Sequence, residues 1–361
     1  MSPLPALLVT CDDDLLGDVL RLAAAAGAPI DVAHDPDTAL RAWGAAPVVL
    51  VCADEAARIG VRRPPRRDSV HVVGLGPLAD GVFRQALAIG ARDVVELPAA
   101  DGWLVELLAD AADGAGTLTA PMIGVVAGSG GAGASVFASA LALVAAGSRP
   151  SVLVDLDPWG PGLDRLLGVE EAPGARWDAL ADGSGRLGSR SLRASLPGRD
   201  GVAVLAWGPP LEDHRSSLTS LSSDVVVEVL SAAQRSSELV VVDLPRSLDG
   251  VAAEVTARCD TLLVVCEATL TSVLSGQKVT ARVRSLQSDV GLVVRGEGSS
   301  VPPSRVADAL ALPLLADYPS RRKVTEQVEL GLGPVHSRRS PLARAAADVL
   351  QWPPVFGTDR R

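Results

Sequence analysis

The sequence predicts an α/β protein of two domains, each a mostly parallel sheet covered by helices. Three observations lead to that class. Short apolar runs alternate with helix-length segments along the whole chain, the pattern of repeated strand–helix units. Hydrophobic residues make up 48% of the 361 positions but aromatic residues only 3%, so the cores must be built from Val, Leu and Ala, as buried parallel strands and their helices are. The segment Ala111 to Pro121 (AADGAGTLTAP) is small, polar and closed by proline, which divides the chain. The expected boundaries are a first domain over 1–112, a linker over 113–121, a second domain over 122–352 and a tail over 353–361.

In the first domain, Ala6 to Thr10 reads as a strand and Leu15 to Ala26 as a helix capped from the Asp12-Asp13-Asp14 run. Pro47 to Cys52 and Val70 to Leu75 read as strands, Gly81 to Ile89 as a helix, Asp93 to Leu97 as a strand and Gly102 to Asp113 as a helix. The acidic run after the first strand and the Gly90-Ala91-Arg92-Asp93 turn resemble a response-regulator receiver domain, of flavodoxin-like fold. By strand count the receiver's phosphoacceptor Asp falls at Cys52, with Asp54 two residues late. Gly76 stands in the region of its Ser or Thr, and Leu97 replaces its Lys. Phosphoryl transfer to such a domain needs a metal-binding acid cluster, a nucleophilic carboxylate and a cation. Only acids remain, so the expectation is a pseudo-receiver that serves partner contact. The basic loop Arg62-Arg63-Pro64-Pro65-Arg66-Arg67 reads as a solvated connection.

The second domain is organised around Met122 to Leu143. Ile123 to Ala127 is a buried strand, Gly128-Ser129-Gly130-Gly131-Ala132-Gly133-Ala134-Ser135 a loop of small residues, and Val136 to about Ala146 an apolar helix. Glycines let backbone amides wrap an anion, and the helix start attracts it. Two phosphate-binding templates fit. G-x-x-x-x-G-K-[ST] matches at Gly128, Gly133 and Ser135, with Ala134 in the Lys position. The dinucleotide fingerprint G-x-G-x-x-G matches at Gly128, Gly130 and Gly133, with Asp155 roughly 20 residues on as a ribose-binding acid.

The acids that follow separate the templates. From Ser151 a buried strand reads on to end in two carboxylates one residue apart, Asp155 and Asp157, and alternation predicts both on one side of the strand at its C-terminal end. Ser237 to Arg246 holds a second apolar strand, ending in one acid, Asp243, the layout that supports Mg²⁺ through water. Leu163 to Gly168 starts a short helix, Thr261 to Cys266 and Gly291 to Arg295 are strands, Leu314 to Pro319 ends in a proline turn, and Ser340 to Trp352 is a closing helix. A hydride-transfer enzyme also needs an acid or base at the nicotinamide, and none of the four histidines (His34, His71, His214, His336) has such a setting. A nucleotide triphosphatase needs a metal-binding hydroxyl, a strand-end acid and a water-positioning acid. Ser135, Asp243 and Asp157 supply these types. The dinucleotide oxidoreductase stays as the lesser alternative.

These motifs resemble the deviant-Walker ATPases of the MinD/ParA group, nearest to its CpaE/TadZ-type members and to the septum-site-determining proteins. The residues concerned are GSGGAGAS at 128–135, VLVDLDPWGPGLDRLLG at 152–168, VVVDLPR at 240–246 and the Leu-Pro and Tyr-Pro turns, behind a receiver-like domain. The resemblance implies a spatial regulator of cell division or of pilus or secretion-apparatus positioning, ATP and Mg²⁺ as cofactors, a homodimer, and partners among division or secretion proteins. It implies a cytoplasmic location, at septum, pole or the inner face of the membrane. The phosphate-binding set is then Gly128, Ser129, Gly130, Gly131, Ala132, Gly133, Ala134 and Ser135, with Asp155 beside it. Ser135 and Asp243 serve the metal, and Asp157 is the catalytic residue.

The chain departs from the group at its cations. Ser129 replaces the signature lysine that reaches a partner's nucleotide, and Ala134 replaces the lysine on the terminal phosphates. Val294, beside Arg295, stands where a base-binding Asn is found. A charge-assisted hydrogen bond contributes about 1.5–3 kcal/mol, so losing two weakens triphosphate binding by on the order of 10²–10⁴-fold if additive. A pseudo-ATPase is therefore expected, with a slow, ATP-dependent dimerisation switch as the alternative.

Bulk properties fit. Net charge of −10 argues against a broad nucleic-acid surface. No apolar run approaches the ~20 residues of a membrane span. The four cysteines, Cys11, Cys52, Cys259 and Cys266, flank apolar runs without a C-x-x-C pair, and read as reduced and buried. The Gly183–Arg193 and Ser216–Ser223 stretches read as loops or an interaction surface, and Arg321-Arg322-Lys323 and Arg338-Arg339 as solvated charge. Pro353-Pro354 denies the tail a membrane-binding helix.

Overall fold

A computed structural model describes residues 4–67, 69–112, 120–181, 189–208, 221–296 and 301–352. Most of the expected linker, of the glycine-rich and serine-rich stretches, and all of the tail lie outside these residues. The chain forms two compact units, one N-terminal to residue 119 and one C-terminal to it.

The first unit runs β1 (Ala6–Val9), α1 (Asp13–Ala26), β2 (Ile30–Ala33), α2 (Pro36–Ala42), β3 (Val49–Cys52), α3 (Ala53–Val61), β4 (Val70–Leu75), α4 (Asp80–Ile89), β5 (Asp93–Leu97) and α5 (Asp101–Ala112). Its five strands are parallel in the order β2-β1-β3-β4-β5. One apolar layer, around Leu8, Leu50, Val95 and Leu104, packs on one face, and another, around Val9, Val49, Trp43 and Ile59, on the other. This is the doubly wound sheet that alternation predicts. The reading of the sequence omits β2, α2 and α3. Strand β2 (IDVA) is a partly exposed edge with a single buried side chain, so it carries no apolar run. Helix α2 is seven residues long, set by the Asp35 N-cap and Pro36.

The basic loop is more than a solvated connection. Arg67 donates to the carbonyls of Trp43 and Ala46, Trp43 Nε1 donates to Pro65 O at 3.1 Å, and Arg62 pairs with Asp37 at 2.6 Å. Arg67 closes carbonyls left open between α2 and β3.

The second unit runs β6 (Met122–Ala127), α6 (Ala134–Ala146), β7 (Ser151–Asp155), α7 (Leu163–Leu167), α8 (Trp177–Ala181), α9 (Ser189–Ser195), β8 (Gly198–Arg199), β9 (Val202–Leu205), α10 (Ser223–Ser236), β10 (Leu239–Leu244), α11 (Val251–Arg258), β11 (Thr261–Glu267), α12 (Leu270–Arg284), β12 (Val290–Arg295), α13 (Pro303–Leu310), β13 (Leu314–Tyr318), α14 (Arg322–Glu329) and α15 (Pro341–Leu350). The strand order is β13-β12-β11-β6-β10-β7-β9-β8, parallel except for the short β8–β9 pair. Helix α6 is buried on most sides, against the sheet and α15, which explains its apolar character all round.

This order decides between the two loop templates. In a dinucleotide fold the strand before the glycine loop neighbours the strand bearing the ribose acid. Here β10 lies between β6 and β7, so the loop strand neighbours the Asp243 strand instead. That is the arrangement of a Walker-type nucleotide domain. Among the described residues no helix is long and apolar enough to cross a membrane.

Candidate functional site

In the first unit, the strand tips hold little chemistry. Asp12 is the N-cap of α1, its carboxylate accepting from the amides of Asp14 and Leu15 at 2.9 and 3.1 Å. Cys52 is buried at the end of β3, Asp54 is exposed in the first turn of α3, and Leu97 is buried at the end of β5. Glu55 is buried and pairs with Arg58 at 3.0 Å. Cys11, expected to be buried, is exposed, while Cys52, Cys259 and Cys266 are buried. It ends up outside because it lies past β1, in the turn to α1, where its thiol donates to His34 O at 3.0 Å.

In the second unit, the glycine loop leaves β6 and enters α6. Gly128 must be glycine, because a Cβ there would lie 2.3 Å from Cys266 Sγ. Gly133, the N-cap of α6, has φ of 94°, a conformation that L side chains rarely adopt. The loop is fastened from outside the phosphate face. Ser129 Oγ bonds Ser272 Oγ on α12 at 2.7 Å, and Arg295 Nη2, at the end of β12, donates to Gly131 O at 2.8 Å and to Glu267 Oε1 at 3.3 Å. On the other side, a Cβ at Gly130 would lie 4.0 Å from the Arg246 guanidinium.

Behind the loop stand the acids. Asp155 and Asp243 are direct neighbours across β7 and β10, and both are buried. Ser135, in the first turn of α6, lies near enough to Asp243 for its hydroxyl to lower that acid's proton affinity. Asp155 Oδ1 accepts from the Asp157 amide at 3.0 Å and Oδ2 from the Leu163 amide at 3.1 Å. Strand β7 stops at Asp155, so Asp157 is no strand residue and the expected alternation does not apply. Its Oδ1 accepts from the amide of Trp159, which is 82% exposed. Asp157 is nonetheless near enough to raise the proton affinity of both buried acids. Burial, opposed by the nearby Ser135 hydroxyl and reinforced by Asp157, pushes Asp243 up to about 7, and burial with the Asp243 charge holds Asp155 well above the usual carboxylate range.

The structure thus brings Ser135, Asp155, Asp157 and Asp243 to one place beside the loop Gly128–Ala134. Reading the sequence misses three participants: Ser272, Glu267 and Tyr318. Tyr318 stacks on Phe137 with ring centroids 5.8 Å apart, and burial raises its phenol to about 12, so it remains a hydrogen donor. Its only sequence signal is that the chain's one tyrosine precedes Pro319.

The donor set fits a magnesium nucleotide in part. Loop amides and the start of α6 suit phosphate, Ser135 with Asp243 suits Mg²⁺ through water, and among the described residues Asp155 and Asp243 have no ion-pair partner. Among the described residues no three acid, His or Cys side chains are grouped to bind a metal directly. Val294, at the position that the resemblance gives to a base-binding Asn, is buried and apolar.

Comparison with known proteins agrees with both halves. Residues 9–118 match the family described as "Rv3660c-like, CheY-like N-terminal domain". The chain is 35% identical over 355 residues to the uncharacterized protein Rv3660c of Mycobacterium tuberculosis (strain H37Rv), covering 97% of this chain and 98% of that one. It is 25% identical over 222 residues to the uncharacterized ATP-binding protein MJ0547 of Methanocaldococcus jannaschii, covering 60% of this chain and 80% of that one. Among solved structures, a ParA family ATPase from Chlorobium tepidum superposes with a TM-score of 0.57 at 18% identity, covering 64% of this chain and 97% of that chain. The Pyrococcus furiosus cell division ATPase MinD gives 0.54 at 22%, covering 63% and 96%. At those identities the likeness shows the fold, which is that of the MinD/ParA ATPases. A CheY-like unit joined to a MinD/ParA-type unit, aligned over almost the full length of a relative of the same extent, means that this chain belongs to the Rv3660c-like family.

Proposed function

We propose that this protein is a spatial regulator of the MinD/ParA kind whose nucleotide site is degenerate. It acts as a partner-binding scaffold in septum placement, or in positioning a pilus or secretion apparatus, at the inner face of the membrane or the cell pole. The observation that carries this reading is the state of the loop. Ser129 and Ala134 stand at the two lysine positions, and the Ser129 hydroxyl is bonded to Ser272 of the same chain instead of presenting a cation to a second copy. The fold shared with the cell division ATPase MinD supports the process, and the pseudo-receiver supports partner contact.

Where nucleotide is bound, each residue has a role that its position suits. The loop amides hold phosphates, Ser135 coordinates Mg²⁺, Asp243 supports the metal through water and Asp157 orients a water. The metal would supply charge neutralisation beside the phosphates. A fixed cation for the charge developing in hydrolysis is missing from the loop itself, which disfavours rapid turnover.

Calorimetry of the purified chain with Mg²⁺-ATP, with tryptophan fluorescence read from Trp159 at the mouth of the site, tests this. The expected result is a dissociation constant of about 0.1–10 mM, set by two missing charge-assisted contacts, with no ATP-dependent dimer in sedimentation. Micromolar binding with phosphate release that Asp157→Ala abolishes would replace the scaffold with an ATP-dependent dimerisation switch.

A further inference from the structure

Arg295 and Tyr318 are partners in the parallel register of β12 and β13, at the tips of both strands. Their side chains converge on the last glycine of the loop. A Cβ placed on Gly133 would lie 3.2 Å from Arg295 Nη1 and 3.5 Å from Tyr318 Oη. Tyr318 is only 5% exposed, and its hydroxyl has no hydrogen-bond partner among the described residues. Neither has Arg295 Nε, which is also shut off from solvent. Both atoms are donors, and buried donors without an acceptor are unfavourable and rare. The start of α6, a helix of 13 residues, adds its free amides and positive dipole end at the same glycine. Two orphaned donors and a helix start lack one thing in common, an anion.

The guanidinium is already braced for it. Nη2 is engaged by Gly131 O and Glu267 Oε1, which fixes the plane of the fork and leaves Nε uncommitted. Gly131 and Gly133, with φ of 75° and 94°, give the loop the backbone freedom to admit a ligand that displaces the Gly131 carbonyl.

We propose that Arg295 is the cation of this site, delivered from the tip of β12, two strands away from β6, in place of the two absent loop lysines, and that with Tyr318 it binds a phosphate oxygen of a nucleotide held at the glycine loop. The proposal rests on reading the loop as a phosphate site. It is independent of whether the bound chain acts as scaffold or switch.

The experiment is a set of Mg²⁺-ATP and inorganic tripolyphosphate titrations of the full chain by calorimetry. The variants are Arg295→Ala, Arg295→Lys, Tyr318→Phe, Arg246→Ala and the double variant Arg295→Ala/Ala134→Lys, with circular dichroism melts confirming that each is folded. Arg295→Ala is expected to weaken ATP binding by about 10–100-fold, as loss of a charge-assisted pair does. Arg295→Lys should be intermediate, keeping charge but losing the fork. Tyr318→Phe should weaken it by roughly 3–10-fold, a neutral hydrogen bond. Restoring Lys at position 134 should recover most of what Arg295→Ala loses. Parallel losses for tripolyphosphate place the contact on phosphate, whereas losses for ATP alone overturn that assignment in favour of base or ribose. Unchanged or tighter binding by Arg295→Ala overturns the proposal, since the arginine then only fastens the loop. So does a loss confined to Arg246→Ala. A wild-type chain that binds neither probe at about 20 mM, beyond the range set by two lost contacts, overturns it too and leaves the scaffold reading standing.

Discussion

Both units finish their central strands with small and acidic residues at the carboxyl tips, yet those residues are held in opposite ways. In the first unit the acids have been absorbed into local structure. Asp12 caps α1 through two backbone amides, Glu55 is paired with Arg58, and the positions of nucleophile and cation are a buried Cys52 and a buried Leu97. In the second unit the acids are in conflict with their surroundings. Asp155 and Asp243 are adjacent and buried, neither has a paired cation among the described residues, and both resist ionisation. A fold relaxes such a conflict unless something else depends on it, because buried like charges reduce stability. The acids of the first tip are engaged in local structure, while the second tip keeps a cost that a bound cation would remove.

The largest effect that sharpens this contrast is at Asp243. Its folded-state value of about 7 lies above the unfolded range, so between about pH 4 and pH 7 the native state holds a proton that the unfolded state has released. Stability from this group is therefore fully present below pH 4 and is lost as pH rises through 7. The shift corresponds to at most about 4 kcal/mol, reduced by relaxation to on the order of 2–4. Asp243→Asn should therefore be more stable than the wild type at pH 8 in urea melts, with the advantage shrinking toward pH 4. Millimolar Mg²⁺ should raise the wild-type melting temperature more at pH 8 than at pH 6. A wild type whose stability is flat from pH 5 to 8 would break the comparison.

How much of this was legible in the sequence follows from which interactions are local. Most strands of both sheets were legible because buried parallel strands are continuous Val and Leu runs, as in LVVVDL of β10. Three were not: β2 and the two-residue β8 bury too little to leave a pattern, and the buried β9 (VAVL) goes unread between the glycine-rich and serine-rich stretches that read as loops. The glycine loop, Ser135, Asp155, Asp157 and Asp243 stood out because each ends or follows an apolar run. The fastening of the loop did not, since Ser272 and Arg295 reach it from 143 and 164 residues away in the chain. Strand order, which separated the two loop templates, is likewise set by crossovers that no local pattern encodes.

A middle-sized effect is expected at Asp155, whose two oxygens hold the turn from β7 to α7. Asp155→Ala strands the buried Leu163 amide and frees that of Asp157, and an orphaned buried donor costs about 1–3 kcal/mol. Removing one of two repelling acids returns part of this, so a loss of about 2 kcal/mol at pH 6, where the repulsion is weak, should fall at pH 8. Denaturant midpoints at the two values read the difference. A loss that grows with pH would mean that Asp155 is held as a stabilised anion, and the conflict assigned to the second tip would vanish.

The smallest effect belongs to the first tip and tests whether it is only architecture. Asp12→Ala removes an N-cap whose carboxylate satisfies two amides at the start of a 14-residue helix, which costs about 1 kcal/mol. Because the Asp12 carboxylate makes its bonds with α1 amides, its loss should not depend on Mg²⁺, and Asp12→Asn or Asp12→Ser, equally good caps, should restore stability in full. The measurement is the urea midpoint of the first unit's transition with and without 10 mM Mg²⁺, a concentration on the order of that which fills weak carboxylate sites. Should Mg²⁺ stabilise the wild type in that transition and lose its effect in Asp12→Asn, the acid would be a metal ligand as well as a cap. The two tips would then differ in degree, not in kind.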